Sequence, residues 1–217
     1  NLFAQKNVNL DFSLFGWHVL TWIPEQFQSL NAIWIVLLSP VLVFIYNALG
    51  RMGKDISVAA KFAWGFAAVA GGFFIYGVGA HWAVNGQVSS WIMVWGYGLY
   101  SLGELLVSGL GLAMIARYVP ARMGGFMMGA YFVASGISQY LGSVVANFAH
   151  IPAGLNDPVQ SLAIYTNLFN KLGMVGVGCT VIALAVLPLM RKLSASHASA
   201  AAREPLPAVR SEEFDTP

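Results

Sequence analysis

Residues 91–116 read WIMVWGYGLYSLGELLVSGLGLAMIA, an apolar run that contains one charged side chain, Glu104. A helix that crosses a bilayer needs about 20 mostly apolar residues, so this run is long enough to span, with Glu104 near the midplane. Glu104 is also the only carboxylate between Asp55 and Asp157. A charged side chain at that depth costs roughly 2.5–3.5 kcal/mol on insertion scales, and such residues mark sites for a proton, an ion or a cationic substrate group. The plainer alternative is a neutral carboxyl that hydrogen-bonds a neighbouring helix, a role worth about 0.6 kcal/mol on average. Asn or Ser would fill that role at lower insertion cost.

The rest of the chain fits the same setting. Its 217 residues are 58% hydrophobic and 9% charged, with a mean hydropathy of +0.67, whereas a soluble domain carries about 25% charged residues. The composition is that of an integral membrane protein. A net charge of +2, with the basic residues scattered between apolar runs, gives no nucleic-acid surface. Cys179 is the sole cysteine, which excludes an intramolecular disulfide or a multi-cysteine metal site within the chain. No Walker-type phosphate loop, HExxH, CxxC or GxSxG motif occurs, so neither an ATP-driven pump nor a hydrolase is indicated, and no cofactor or metal is expected.

Five stretches are long and apolar enough to be read as spans: Ala32 to Leu49, Phe62 to His81, Trp91 to Ala116, Gly125 to Phe148 and Leu172 to Met190. Arg51, Lys54 and Lys61 lie between the first and second, Arg117 and Arg122 between the third and fourth, and Arg191 with Lys192 after the fifth. The connections Trp82–Ser90 and Ala149–Gln160 have no Lys or Arg. Because basic residues are retained on the cytoplasmic side, the alternation predicts a cytoplasmic carboxy terminus and an external amino-terminal segment. Lys171, at the outer edge of the fifth span, can extend its ammonium to the headgroups along its aliphatic stem. Trp17, Trp22, Trp82 and Trp91 fall near the predicted outer boundary, as interfacial aromatics do.

Three regions are therefore expected. Residues 1–31 are the end of a preceding helix and an external loop, 32–190 a five-helix transmembrane bundle, and 191–217 a disordered cytoplasmic tail without apolar periodicity. An odd number of spans that begins outside, and a first residue that is Asn instead of Met, read as a fragment of a longer protein.

Around Glu104, residues Tyr97, Tyr100, Ser101 and Ser108 recur at helical spacing on one face, among Gly96, Gly98, Gly103, Gly109 and Gly111. Small residues let a neighbouring helix or a ligand approach, and the face could line a hydrated cavity. A carboxyl there could exchange a proton or stay ionised beside an ammonium. Asn31 follows Pro24 and a polar run, and on spacing alone it reads as a helix N-cap. Pro40 lies mid-span and permits a kink. The turn RYVPARMGGFMMG, residues 117–129, sets the third and fourth spans side by side. That brings Tyr131, Ser135 and Gln139, four residues apart, within reach of the Glu104 face, either as pocket groups or as interhelical packing.

Two segments resemble a known family. SLGELLVSGLGLAMIARYVPARMGGFMMGAYF, residues 101–132, is similar to the helix ten to helix eleven signature of proton-coupled oligopeptide transporters, bacterial dipeptide and tripeptide permeases in particular. PEQFQSLNAIWIVLLSPVLVFIYNALG, residues 24–50, resembles helix eight of the same family. The resemblance runs to about Arg191. It implies an all-α membrane protein, the carboxy-terminal helical bundle of a major facilitator superfamily transporter, with the five spans as helices eight to twelve. It also implies proton-driven symport of dipeptides and tripeptides across a bacterial inner membrane. Glu104 then matches the glutamate that receives the peptide amino terminus, and Asn31 the asparagine near that group. Tyr131 stands where many members have tryptophan, and Ser135 at a further pocket position. The family's amino-terminal half, with its ExxER-type motif for proton coupling and carboxylate recognition, is not in this sequence, so it is the expected partner of this chain. The alternative from a different class is a non-transporting scaffold subunit with a structural Glu104. An intramembrane enzyme lacks a second catalytic group at midplane depth.

Overall fold

The computed structural model describes residues 2–14, 17–53, 57–147 and 157–201. Lys54, residues 149–156 of the connection read as external, and residues 202–217 of the segment read as a tail lie outside them. The described chain is helical apart from one small hairpin. It begins with a short helix α1 (Leu2–Asn7) and the antiparallel strands β1 (Asp11–Leu14) and β2 (Trp17–Thr21). A 3-10 turn, Pro24–Gln28, runs straight into α2 (Ser29–Arg51). Then come α3 (Val58–Gly79) with a 3-10 turn at Ala80–Trp82, and α4 (Ser90–Glu104). A π-helical turn at Leu105–Gly109 joins α4 to α5 (Leu110–Tyr118), and α6 (Ala121–Ala146) and α7 (Pro158–Ala201) complete the fold.

Four of these segments are long and apolar enough to cross a membrane: Pro24–Arg51, Ala60–Trp82, Ser90–Ala116 and Pro158–Pro188. Of the stretch read as the fourth span, residues 125–146 lie in α6, where Ser135, Ser138, Gln139 and Ser143 dilute the apolar residues, and the stretch is not among the four, while Phe148 lies outside the described residues. α7 continues past Arg191 to Ala201, so helix runs into the segment read as a tail. The hairpin occupies part of the segment read as loop, and a bulge shifts its register between Phe12 and Ser13.

α3 is the centre of the bundle and packs most extensively on α7 and α4, while α2 packs on α4. The α3–α4 contact depends on missing side chains. A Cβ built on Gly103 would meet the Gly65 carbonyl oxygen at 2.7 Å and the Val69 backbone nitrogen at 3.1 Å, as well as the Val69 side chain. Backbone atoms inside a helix cannot move aside as a side-chain tip can, so these helices approach at glycine, as membrane helices commonly do. Gly103→Val should therefore lower the thermal midpoint of the purified complete protein, since overpacking costs about 1–3 kcal/mol; an unchanged midpoint would show that the close approach is dispensable. Val36, Phe44, Trp64, Val175 and Ile182 turn outward from the helices, the arrangement expected where the surrounding solvent is hydrocarbon.

The most buried cluster sits at one end of the bundle, where Phe3, Ala4, Val8, Phe27, Leu30, Val88, Met93, Leu162 and Tyr165 pack together. We call this the capped end. Asn7, fully buried, is its polar centre: its Nδ2 donates to the Gly86 carbonyl at 2.9 Å and the Pro158 carbonyl at 2.7 Å, and its Oδ1 accepts from Ser161 Oγ at 3.0 Å. The backbone of the next residues pairs with Val88 in the α3–α4 connection, Val88 N–H donating to the Asn7 carbonyl and Asn9 N–H to that of Val88, both at 2.8 Å. The connection reverses at Asn85 (φ 53°) and Gly86 (φ 77°), with Val84 and Gln87 bonded to each other across them. Both positions are left-handed, which suits the Asn-Gly pair. The hairpin leans on the same end, with the Phe12 ring 4.7 Å from that of Trp91 and Trp91 Nε1–H donating to the Ser13 carbonyl at 3.1 Å.

Candidate functional site

Glu104 is the last residue of α4, immediately before the π-helical turn. Such turns loosen the regular hydrogen-bond ladder and occur often at functional sites. The carboxylate is half-buried, and its Oε2 accepts a 2.8 Å hydrogen bond from Asn31 Nδ2 on α2. Asn31 does not cap a helix. The 3-10 turn Pro24–Gln28 passes into α2 without a break, the N-cap position falls on Gln28, and Asn31 already lies within the first helical turn. Its side chain is free to cross to α4.

Trp34, one turn after Asn31, sets this crossing. Its indole N–H donates to the Val94 carbonyl at 2.9 Å, and its ring lies over Gly98, where an added Cβ would come within 3.0 Å of it. Trp95 on α4 faces the same ring at 6.0 Å. The glycine at position 98 and the indole at position 34 thus place the Asn31 amide against the Glu104 carboxylate. Trp34 was not apparent from the sequence, where it reads as one more apolar residue of a span.

Tyr131 and Ser135 take different positions. The Tyr131 hydroxyl lies 3.4 Å from Ser108 Oγ and donates to the Ser108 carbonyl at 3.5 Å, and its ring covers Gly111. It therefore ties α6 to the helix one turn beyond Glu104 and not to Glu104 itself. Ser135 is one turn farther along α6 and half-buried. Among the described residues, no hydrogen bond joins either to Glu104. The π-helical turn explains the separation. Its extra residue turns the helix that follows by about 100°, which carries Ser108 out of line with Glu104 and toward α6.

Ser101 Oγ, fully buried one turn before Glu104, has no hydrogen-bond partner among the described residues. Tyr76 on α3 joins Tyr97 and Tyr100 around a cavity of about 290 Å³ that Phe3, Met93 and Phe169 help to enclose. The candidate site itself is one carboxylate and the amide that holds one of its oxygens, within an apolar bundle. The described partner of the carboxylate is neutral, so the negative charge is oriented but not neutralised. That arrangement suits a cation that comes and goes, either a proton or an ammonium group. Among the described residues, no group of three His, Cys, Asp or Glu side chains converges as a metal site would require.

The sequence profile of the POT family matches residues 1–159. Dipeptide and tripeptide permease B of Shigella dysenteriae is 38% identical over 201 residues, a match that covers 92% of this chain and 40% of the permease. Dipeptide and tripeptide permease A of Salmonella typhimurium is 38% identical over 196 residues, covering 89% of this chain and 37% of its own. Among solved structures, tetrameric PepTSo2 superposes with a TM-score of 0.75 at 66% identity, over 88% of this chain and 38% of the PepTSo2 chain. The chain thus spans about two fifths of the length of the proteins it matches.

Proposed function

This chain belongs to the POT family, and from that premise we propose that it forms the carboxy-terminal helical bundle of a proton-driven symporter of dipeptides and tripeptides. The observation that carries the reading is the Glu104–Asn31 pair: a carboxylate midway along the membrane-spanning segment Ser90–Ala116, oriented by an amide and followed by a π-helical turn. In the proposed mechanism, Asn31 holds Oε2, and the remaining lone pairs receive the peptide's ammonium group in charge-assisted hydrogen bonds. Such bonds are about twice as strong as neutral ones. When the ammonium leaves, a proton on the same carboxyl removes the cost of a bare charge inside the bilayer.

Tyr131 and Ser135, on α6, face the substrate farther from Glu104, where they bear on side-chain preference. The other wall of the site belongs to the amino-terminal half of the same transporter. Sites of major facilitator transporters lie near the midplane between two such bundles, which rock to expose them alternately. The chain is a multi-pass membrane protein. We place it in the bacterial inner membrane with five spans corresponding to helices eight to twelve, the capped end outside and the carboxy terminus in the cytoplasm. The alternation of Arg and Lys between spans supports that orientation. The deciding experiment is uptake of a labelled dipeptide into vesicles that hold the complete protein, with and without an inward proton gradient. Accumulation that requires the gradient is expected, and uptake indifferent to it would overturn the symport reading.

A further inference from the structure

The phenol-lined cavity beside α4 does not belong to the Glu104–Asn31 contact, but it follows the same helix. α4 starts at the capped end with Ser90 and reaches Glu104 at its other end. At about 1.5 Å per residue, Met93 lies roughly one turn from the start of the helix. Tyr97 and Tyr100 lie about 10 and 15 Å along it, and Glu104 about 21 Å. The cavity is walled by Met93, Tyr97 and Tyr100, so it runs from near the capped end to within one turn of the carboxylate. Tyr97, Tyr100 and Glu104 are three and four residues apart and therefore stack on one face. Tyr76 closes the cavity from α3.

We propose that this cavity holds a file of water which, with the hydroxyls of Tyr97 and Tyr100, carries protons between the capped end and Glu104. The proposal rests on the transport reading above and adds the route to it. A volume of about 290 Å³ has room for roughly nine waters at about 30 Å³ each. A phenol hydroxyl is both donor and acceptor, so it can take a proton from the water on one side as it gives its own to the next, without bearing charge. The net step moves one proton from a hydronium ion at the capped end onto the Glu104 carboxylate. A water molecule stays behind and a neutral carboxyl forms. Among the described residues, no Lys, Arg, His, Asp or Glu lines the cavity to trap the proton on the way; the facing groups are Phe3 and Ala4 of α1, Tyr76 of α3 and Phe169 of α7. Around Glu104, α2 contributes the neutral Asn31.

The test separates proton movement from peptide movement in vesicles that contain the complete protein. Proton-driven accumulation of a labelled dipeptide is compared with exchange of labelled for unlabelled dipeptide in the absence of a gradient. The double substitution Tyr97→Phe, Tyr100→Phe removes both hydroxyls and keeps the rings. It should lower proton-driven accumulation by about tenfold or more, in keeping with the loss of a positioned proton-transfer group, while exchange stays near that of the unaltered protein. Retained exchange also shows that the variant folds. Unchanged accumulation would overturn the route, and so would an equal loss of both activities, which would make the phenols packing or peptide-binding groups. If the unaltered protein shows neither activity, the transport reading itself falls and the route with it.

Discussion

Glu104→Gln in the complete protein is expected to cut dipeptide uptake by a hundredfold to a few thousandfold, roughly, with membrane insertion intact. The estimate follows from the chemistry of the pair. Removing one partner of a buried charge pair costs about 3–5 kcal/mol because the other charge is left uncompensated, and each 1.4 kcal/mol is about a factor of ten. In the variant the uncompensated group is the peptide's ammonium, which would leave water for a neutral amide. Insertion should not suffer, since glutamine is cheaper than an ionised carboxylate in hydrocarbon. Asn31 can still bond to the new side-chain carbonyl, so the α2–α4 contact at 2.8 Å has a replacement and the fold a reason to persist. The check is uptake normalised to the amount of protein in the membrane. Uptake unchanged at equal protein would remove Glu104 from the site.

Asn7→Leu is expected to have the second largest effect, on stability. Asn7 is fully buried and uses every polar atom of its side chain, on the Gly86 and Pro158 carbonyls and on the Ser161 hydroxyl. A leucine of similar size would take the Asn7 donor from the Gly86 carbonyl inside the capped end, whereas the Pro158 carbonyl keeps its 3.0 Å bond from Ser161 Oγ, and a buried unsatisfied group costs about 1–3 kcal/mol. The thermal midpoint of the purified protein should fall by several degrees, at about 2–4 °C per kcal/mol. Ser161→Ala should cost less, because Asn7 keeps both backbone acceptors. A midpoint equal to that of the unaltered protein in the Asn7 variant would show that the clasp between α1, the α3–α4 connection and α7 is incidental.

Much of this was legible in the sequence, and the reasons differ from element to element. Four of the five stretches read as spans announce themselves because length and apolarity suffice to identify them, and Glu104 because a lone charge in a run of 26 residues is conspicuous. Its partner was legible only through the family resemblance. Spacing alone made Asn31 a cap, since whether a helix begins at Ser29 or Asn31 depends on how the turn from Pro24 enters it. The π-helical turn has no sequence signature of its own, so helical periodicity aligned Ser108 with Glu104 where the structure hands Ser108 to Tyr131. The hairpin was hidden because Asp11, Ser13, His18 and Thr21 mix with aromatics in short strands that a bulge interrupts. The Asn85-Gly86 pair was a usable turn signal. Asn7 gave none, for its carbonyl partners are 79 and 151 residues away in the chain.

Whether Glu104 reads the peptide's amino terminus is decided by comparing two ligands on two proteins. A dipeptide and its N-acetyl derivative differ in the ammonium group alone, and each competes against a labelled dipeptide for binding to the complete protein, unaltered or carrying Glu104→Gln. The unaltered protein should prefer the free amine by about a hundredfold, as expected for about 3 kcal/mol, and this preference should collapse toward unity in the variant. A preference for the free amine that survives Glu104→Gln would contradict that reading and return Glu104 to the role of a hydrogen-bonding group between helices.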